Sequence, residues 1–146
     1  MKKVLIINGP NLNMLGKRQE DIYGSKSFDD VYSDLQKYSS GKNIELFYFQ
    51  SNIEGEIVNK IQDSMGKIDN IIINPGALTH YSYSIHDALT AVKIPAIEVH
   101  ISNIFTREEW RQKSVISPAV IGIISGLGIS VYKLALIFIT EFYSKK

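Results

Sequence analysis

Five short apolar runs recur along the chain, and each ends in a cluster of polar, glycine or proline residues. The runs cover residues 4–7, 44–49, 71–73, 96–101 and 120–124. Apolar runs of this length and β-branched content are typical of strands that are covered on both faces, as in a parallel sheet. The pattern therefore predicts five buried strands.

Helical patterns lie in the intervals between these runs. Ser27 can cap a helix, with Asp30 as an acidic near-match to a capping box, and Val31 and Leu35 follow at helical spacing. Further helices are predicted at about residues 53–65, 82–92 and 128–143, with a short helical turn near residues 107–110. Alternating strands and helices predict right-handed βαβ crossovers. We therefore expect one flavodoxin-like domain over residues 1–146, with a doubly wound parallel sheet of order 2-1-3-4-5 between two helical layers.

Composition narrows the function classes. The chain of 146 residues is 45% apolar and 21% charged, which is ordinary for a soluble protein. A formal net charge of +1 gives no global electrostatic case for nucleic acid or an anionic membrane. No cysteine is present, which excludes disulfides, thiolate zinc sites and cysteine nucleophiles. The histidines match no zinc motif, so we predict no metal.

Two apolar segments could be mistaken for targeting or membrane signals. The run at residues 4–7 is too short for a signal peptide and stops at Asn8. The segment from residue 116 to residue 142 is broken by Pro118, Gly122 and Gly126, whereas a membrane span needs roughly 20 consecutive apolar residues. We therefore expect a cytoplasmic protein without a membrane partner.

Polar residues stand where ligands bind in such sheets, outside the carboxyl ends of the strands. Asn74 and His80 follow the third run, and Glu98 and His100 interrupt the fourth. Strand alternation places Glu98 and His100 on one face. A buried carboxylate can orient an imidazole and favour its protonated form, which makes a proton donor. The alternative interpretation is a structural ion pair, and the strand-end position favours the functional one.

Two charged segments leave alternatives open. The loop at residues 12–25, here called the lid loop, is longer than the usual strand-to-helix connection of about 2–6 residues. It is either a solvated loop or a lid that brings Lys17, Arg18 and Tyr23 over the pocket. Arg107 and Arg111 would share a face if their segment is helical. Either could clamp a carboxylate or hydroxyl, or be neutralised by neighbouring glutamates.

Taken together, these segments closely resemble the type II 3-dehydroquinate dehydratase family along nearly the whole chain. The resemblance runs through residues 7–12, 15–16, 22–24, 50–52, 74–76 with 79–80, 98–103, 107–109 and 116–118. It implies a hydro-lyase of the shikimate pathway that converts 3-dehydroquinate to 3-dehydroshikimate without a cofactor. The implied chemistry is an anti elimination of water through an enolate.

The resemblance also implies roles for individual residues. Tyr23 matches the base, which needs a nearby cation to ionise near neutrality, and Arg18 matches that cation. His100 matches the general acid and Glu98 its orienting partner, while Asn11 matches the residue that stabilises the enolate with a bound water. The matching substrate-binding residues are Asn74, His80 and Arg111 for the ring hydroxyls, Ile101 and Ser102 for the carboxylate, and Asp87 from a neighbouring subunit.

Asp87 therefore implies a homo-oligomer, and the family typically forms a dodecamer built of trimers. Three positions depart from the common pattern. His86 stands where arginine is frequent beside the aspartate, Val115 replaces a frequent aromatic residue, and Gln19 and Asp21 flank Glu20 where many members have a Glu-Pro pair. None of these departures removes a matched catalytic group.

A rival class is a non-catalytic flavodoxin-like module that binds a nucleotide or a protein, because the fold alone would allow it. A phosphoacceptor receiver domain would need acidic residues after the first strand, and that position has Asn8 to Asn11 instead. A flavin-binding module should purify coloured, which gives a cheap discriminating observation.

Overall fold

A computed structural model describes residues 1–143, and its centre is a five-stranded parallel sheet in the order β2-β1-β3-β4-β5. The strands are β1 (Lys2–Asn8), β2 (Ile44–Gln50), β3 (Asn70–Asn74), β4 (Ala96–His100) and β5 (Gly122–Ser125). This order confirms the predicted topology. β1 and β3 lie side by side at the point where the strand order reverses, which is where ligands bind in doubly wound sheets.

Helices connect the strands as the apolar pattern predicts. They are α1 (Glu20–Tyr23), α2 (Phe28–Ser39), α3 (Glu54–Asp63), α4 (Tyr83–Val92) and α5 (Ser130–Ile137), and α5 continues as a π-helix over Phe138–Phe142. Ser27 and Asp30 form the capping box of α2, with both reciprocal hydrogen bonds present. Predicted and observed ends differ by a few residues, because frayed helix ends have no strong sequence signal.

Strand alternation divides the core into two apolar clusters, one on each face of the sheet. Val4 and Ile6 of β1 pack in the cluster beneath α2 and α5, whereas Leu5 and Ile7 pack in the cluster beneath α3 and α4. The two clusters confirm the three-layer arrangement.

The prediction that all five strands are buried on both faces is wrong for the two edge strands, β2 and β5. β2 is mostly half-buried, and in β5 Ile123 is 43% exposed. The apolar content of β5 reflects strand propensity as well as burial, and sequence pattern alone does not separate the two.

The predicted helical turn near residues 107–110 is also wrong in position. A single 3-10 turn covers Glu109–Arg111, and Arg107 lies before it in extended backbone. Arg107 and Arg111 therefore do not share a helical face, and their guanidinium groups make different contacts.

Backbone packing between two loops shapes the carboxyl edge of the sheet. Gly9, just after β1, lies so close to the turn after β3 that a Cβ atom there would be 2.4 Å from the Pro75 carbonyl oxygen. Gly76 has a left-handed φ of +61°, and a Cβ there would be 3.0 Å from the Pro10 carbonyl oxygen. Glycine at these two positions lets the loops form the floor of a pocket. Within residues 1–143, no helix is both long and apolar enough to cross a membrane.

Candidate active site

A pocket opens at the carboxyl ends of β1, β3 and β4, beneath the lid loop. The ends of β3 and β4 and the three connections that follow β1, β3 and β4 line it: Pro10, Asn11, Leu12, Arg18, Tyr23, Asn74, Gly76, Ala77, His80, His100, Ile101, Ser102, Ile104, Arg107 and Arg111. Nine of the eleven residues predicted for the site are in this set; Glu98 lies directly behind His100, and Asp87 lies elsewhere.

The Glu98 carboxylate is fully buried and accepts four side-chain hydrogen bonds. Its Oε2 atom accepts from the Thr79 hydroxyl at 2.8 Å and from His100 Nε2. Its Oε1 atom accepts from the hydroxyls of Ser114 and Ser117, each at 3.0 Å. Glu98 and His100 lie on the same face of β4, as strand alternation predicts.

These contacts oppose the effect of burial on the pKa of Glu98. Burial by itself raises the pKa of the Glu98 carboxyl, but the hydrogen bond and charge of His100, together with the Thr79 and Ser114 hydroxyls, outweigh it. The pKa of Glu98 is consequently lower than its usual value. A carboxylate ionised in this way fixes the His100 ring through Nε2 and leaves Nδ1 without a partner among the described residues.

His80 also lines the pocket and is held by a backbone carbonyl group. Its Nδ1 atom lies 2.7 Å from the Lys113 carbonyl oxygen, which assigns the ring proton to Nδ1 and leaves Nε2 as an acceptor. Burial lowers the pKa of His80, and the hydrogen bond to Lys113 only partly offsets this effect. His80 is therefore suited to accept a hydrogen bond from a ligand hydroxyl.

Two asparagines present amides to the pocket. Asn74 is 3% exposed, and both ends of its amide are held by hydrogen bonds, to the Tyr132 hydroxyl at 2.9 Å and from the Gly76 N–H at 3.1 Å. Asn11 is exposed and has a left-handed φ of 70°. Its backbone N–H donates to Asn52 Oδ1 at 3.0 Å, and its side chain has no hydrogen-bond partner among the described residues.

Backbone groups after β4 form a potential anion site. The carbonyl oxygens of Ile101 and Ser102 accept hydrogen bonds from Gly128 N–H and the Ser125 hydroxyl. The N–H groups of Ile101 and Ser102 donate to no other residue within the part of the chain that the structure describes. Two free N–H groups beside arginines suit a carboxylate.

Tyr23 of the lid loop lies in the pocket, held by two arginines. Arg107 Nη1 donates to the Tyr23 hydroxyl at 2.7 Å and to the Ser102 hydroxyl at 3.2 Å. The Arg18 guanidinium carbon lies 4.7 Å from the centre of the Tyr23 ring. Arg18 is thus close to the phenol, as predicted, but the hydrogen bond to its oxygen comes from Arg107, which the sequence left as one of two candidates.

Arg111 shows features of both interpretations that the sequence left open. It lines the pocket, and it also forms a salt bridge with the exposed Glu108 and stacks 4.0 Å over the Trp110 ring. The stacked and paired guanidinium is held at the pocket rim by these contacts.

Asp87 does not belong to the pocket of its own chain. Its side chain is 84% exposed on α4, where His86 Nδ1 lies 3.1 Å from its carboxylate. Its role at a neighbouring subunit stays a prediction. Among residues 1–143, no group of three or more metal-binding side chains is close enough to hold an ion, and the expected absence of metal and cofactor stays a prediction as well.

Comparison with known proteins decides the family. The sequence model of the family described as Dehydroquinase class II matches residues 2–140. The chain belongs to this family. The 3-dehydroquinate dehydratase of Caldicellulosiruptor bescii is 58% identical over 142 residues, covering 97% of this chain and 98% of the relative.

Solved structures agree with this family membership. The type II dehydroquinase of Butyrivibrio crossotus has a TM-score of 0.90 and 49% identity, covering 92% of this chain and 94% of that one. The type II dehydroquinase of Propionibacterium acnes has a TM-score of 0.91 and 40% identity, covering 96% and 97%. Membership in the class II dehydroquinase family favours a lyase over a non-catalytic flavodoxin-like module.

The hydrogen-bond partners of Glu98 and Asn74 at this dehydroquinase site were not predicted from the sequence. Ser114, Ser117 and Thr79 surround Glu98, and Tyr132 holds Asn74 from the core. The one available signal was Glu98 itself, because a buried carboxylate needs hydrogen-bond donors. Sequence gives no indication of which distant hydroxyls supply them.

Proposed function

We propose that this chain is a 3-dehydroquinate dehydratase, which eliminates water from 3-dehydroquinate to give 3-dehydroshikimate in the shikimate pathway. The observation that carries the proposal is one pocket lined by two opposed proton-transfer groups: Tyr23 beside two arginines, and His100 held by the buried Glu98. The relatives that bear this enzyme's name match nearly the whole chain, which supports the assignment.

The base side removes the proton from C2 of the substrate. The Tyr23 phenolate takes the proton, and the electron pair moves into the adjacent ketone to form an enolate. Arg107 donates to the Tyr23 hydroxyl at 2.7 Å and Arg18 lies over the ring, so two guanidinium groups surround the proposed base. Asn11, with a bound water, stabilises the negative charge on the enolate oxygen.

The acid side completes the elimination. As the enolate collapses, the C1–OH bond breaks, and His100 donates a proton to the departing hydroxyl so that it leaves as water. Glu98 holds the His100 ring through Nε2, so that Nδ1 is the nitrogen that donates the proton. Since Tyr23 gains one proton and His100 loses one, a proton must return through solvent before the next turnover.

The substrate is held by the remaining pocket groups. Ile101 and Ser102 offer free N–H groups to the substrate carboxylate, and Arg111, His80 and Asn74 bind the ring hydroxyls. The lining residues include three arginines, which suits a substrate that is an anion.

We further propose that the active enzyme is a homo-oligomer, a dodecamer built of trimers, located in the cytoplasm. The exposure of Asp87 on α4 leaves it available to complete the pocket of a neighbouring copy. Mass in solution, measured by light scattering on the purified chain, should give a trimer or a multiple of three. A monomer with full activity would contradict the role of Asp87.

The direct test is an assay of the purified chain with 3-dehydroquinate, in which the conjugated enone product absorbs in the ultraviolet. We expect absorbance to rise with time in proportion to the protein concentration. The Tyr32→Phe variant serves as a control, because Tyr32 donates to the Leu46 carbonyl away from the pocket. No absorbance gain with correctly folded protein would refute the proposal.

A second experiment separates this elimination from a lysine Schiff-base mechanism. Borohydride added with substrate should leave the activity unchanged, since no lysine of residues 1–143 lines the pocket. Covalent trapping of substrate on a lysine, detected by intact-protein mass, would contradict the enolate mechanism.

A further inference from the structure

A chain of hydrogen bonds connects the pocket to the hydrophobic core beneath it. Asn8 and Asn74 end the adjacent strands β1 and β3 and are partners in the strand register. Both side chains point toward α5, where the fully buried Tyr132 places its hydroxyl between them. Asn74 Nδ2 lies 2.9 Å from this hydroxyl, and Asn8 Oδ1 lies 2.7 Å from it. Of these three residues, only Asn74 lines the pocket.

The orientation of the Asn74 amide in the chain is fixed by Gly76. Gly76 N–H can only donate, so the Asn74 atom that it contacts at 3.1 Å must be Oδ1. The Asn74 amide nitrogen therefore faces the Tyr132 oxygen and donates to it. The Tyr132 hydroxyl then donates its own hydrogen to Asn8 Oδ1. If the Asn74 amide were reversed, its Nδ2 group would face the Gly76 N–H, and two donors would be in contact.

This order of donors leaves one Asn74 N–H unused. The amide nitrogen carries two hydrogens, one of which goes to Tyr132. The other finds no acceptor among the described residues, and Asn74 lines the pocket. Burial raises the pKa of the Tyr132 hydroxyl, so this group remains neutral and keeps both its donor and its acceptor role.

From this arrangement we infer that Tyr132 is a positioning residue for substrate binding. It holds the Asn74 amide so that the free N–H of Asn74 is presented to an oxygen of the substrate ring. This inference rests on the proposed function, because it assigns Asn74 to a substrate hydroxyl. Tyr132 does not touch the pocket, so its influence on the substrate passes through the amide alone.

The alternative is that Tyr132 only fills the core beneath α5. Its ring packs edge-on against Phe28 at 5.1 Å between ring centres, which stabilises the fold whatever the hydroxyl does. Tyr132→Phe separates the two roles, because it keeps the ring and removes only the oxygen. Loss of the oxygen frees the Asn74 amide to rotate, whereas a packing role predicts unchanged kinetics in the folded enzyme.

We expect Tyr132→Phe to lower kcat/KM about tenfold, mainly by raising KM, as for the loss of one well-placed hydrogen bond. The Asn74→Ala variant should lower kcat/KM as well. In the Asn74→Ala background, Tyr132→Phe should change kcat/KM by less than about twofold, because the two residues act as one unit. Additive losses in this double-mutant cycle, or wild-type kinetics for Tyr132→Phe, would overturn the inference.

Two controls keep the result interpretable. Tyr32→Phe removes a tyrosine hydroxyl that donates to the Leu46 carbonyl, and its kinetics should equal those of the wild type. If Tyr132→Phe does not fold, Asn8→Ala removes the far acceptor and should raise KM in the same direction; an unchanged KM would overturn the inference.

A readout without turnover separates this inference from the proposed function. The Asn74 side-chain amide protons, assigned by their absence in Asn74→Ala, should exchange with solvent faster in Tyr132→Phe than in the wild type. Wild-type protein that is inactive on 3-dehydroquinate but shows this exchange difference would refute only the proposed function. Active wild type with equal exchange in both proteins would refute only the role of Tyr132.

Discussion

The two proposed proton-transfer groups of the pocket, the acid side and the base side, are held in opposite ways. The acid side, Glu98 and His100, lies on a central strand, 0% and 5% exposed, with hydroxyl donors on the carboxylate. The base side, Tyr23, lies half-buried on the lid loop, and its hydroxyl depends on a contact with Arg107, which is 84 positions away in sequence. One side is fixed by the sheet, and the other is assembled across loops.

This difference suits the two tasks. A general acid on a rigid strand stays aligned through every turnover without reorganising. A base on a loop can open to admit the substrate and close to exclude water. Arg107 joins the two sides, because one of its nitrogens contacts both Tyr23 and Ser102, which follows β4. Variants of the acid side should therefore lower both stability and turnover, whereas variants of the base side should lower turnover alone.

The largest effect on turnover is expected for Tyr23→Phe. Removal of the proposed base should lower kcat by about 10³-fold or more. Its hydroxyl is only partly buried, so the melting temperature should stay near that of the wild type. The enone assay and a thermal melt measure both quantities. Near-normal kcat in this variant would place the base on another residue.

On the acid side, Glu98→Gln should lower turnover and stability together. The amide cannot accept from all four donors or stabilise the imidazolium, so we expect kcat to fall about 10²-fold. Loss of hydrogen bonds to a buried charge should cost about 2 kcal/mol of unfolding free energy, measured with urea. Glu45→Gln, at an exposed position of β2, should change neither quantity. A stable Glu98→Gln protein would contradict the proposed rigidity of the acid side.

The same contrast explains how far the sequence could be interpreted. The shared face of Glu98 and His100 follows from the alternation of side chains along one strand. The strand order follows from the alternation of five strands with helices. The edge exposure of β5 could not be predicted, because β-branched residues favour strands whether or not they are buried.

The long-range contacts of the site could not be predicted from local sequence patterns. The resemblance supplied Tyr23 and Arg18. The hydrogen bond to the Tyr23 hydroxyl comes instead from Arg107, which lies on a loop that is remote from the lid loop in sequence. The resemblance assigned Arg111 to the ring hydroxyls and gave Arg107 no role. The contact of Arg107 depends on its extended backbone before the 3-10 turn, which local pattern did not predict. The hydroxyls around Glu98 likewise come from loops that no periodic signal connects.

The link between the two sides is tested by Arg107→Lys, which keeps the charge. A lysine ammonium lacks the planar guanidinium group and its fixed donor directions, so it does not hold the Tyr23 and Ser102 hydroxyls in the same geometry. We therefore expect kcat to fall about tenfold, with stability unchanged because the side chain is only half-buried. Arg107→Gln should lose more, since the charge is absent as well. Equal activity of the lysine variant and the wild type would show that charge alone matters.

The smallest effect on turnover is expected when Ser114 and Ser117 are both replaced by alanine. These hydroxyls donate to the Glu98 Oε1 atom, and His100 and Thr79 still hold Oε2, so kcat should fall only a few-fold. Loss of two donors to the carboxylate raises the pKa of Glu98 toward its usual value.

The stability of this double variant should depend on pH in a defined direction. The lowered pKa of Glu98 in the folded protein means that its stabilising contribution is complete above the usual value of 4.5 and is lost as the pH falls through the lowered value. The deficit in unfolding free energy relative to the wild type should therefore be largest near pH 7 and shrink below about pH 4. Urea unfolding of both proteins across this range measures it. A deficit that is constant with pH would contradict this prediction. It would mean that the two serines stabilise the fold without stabilising the charge of the Glu98 carboxylate.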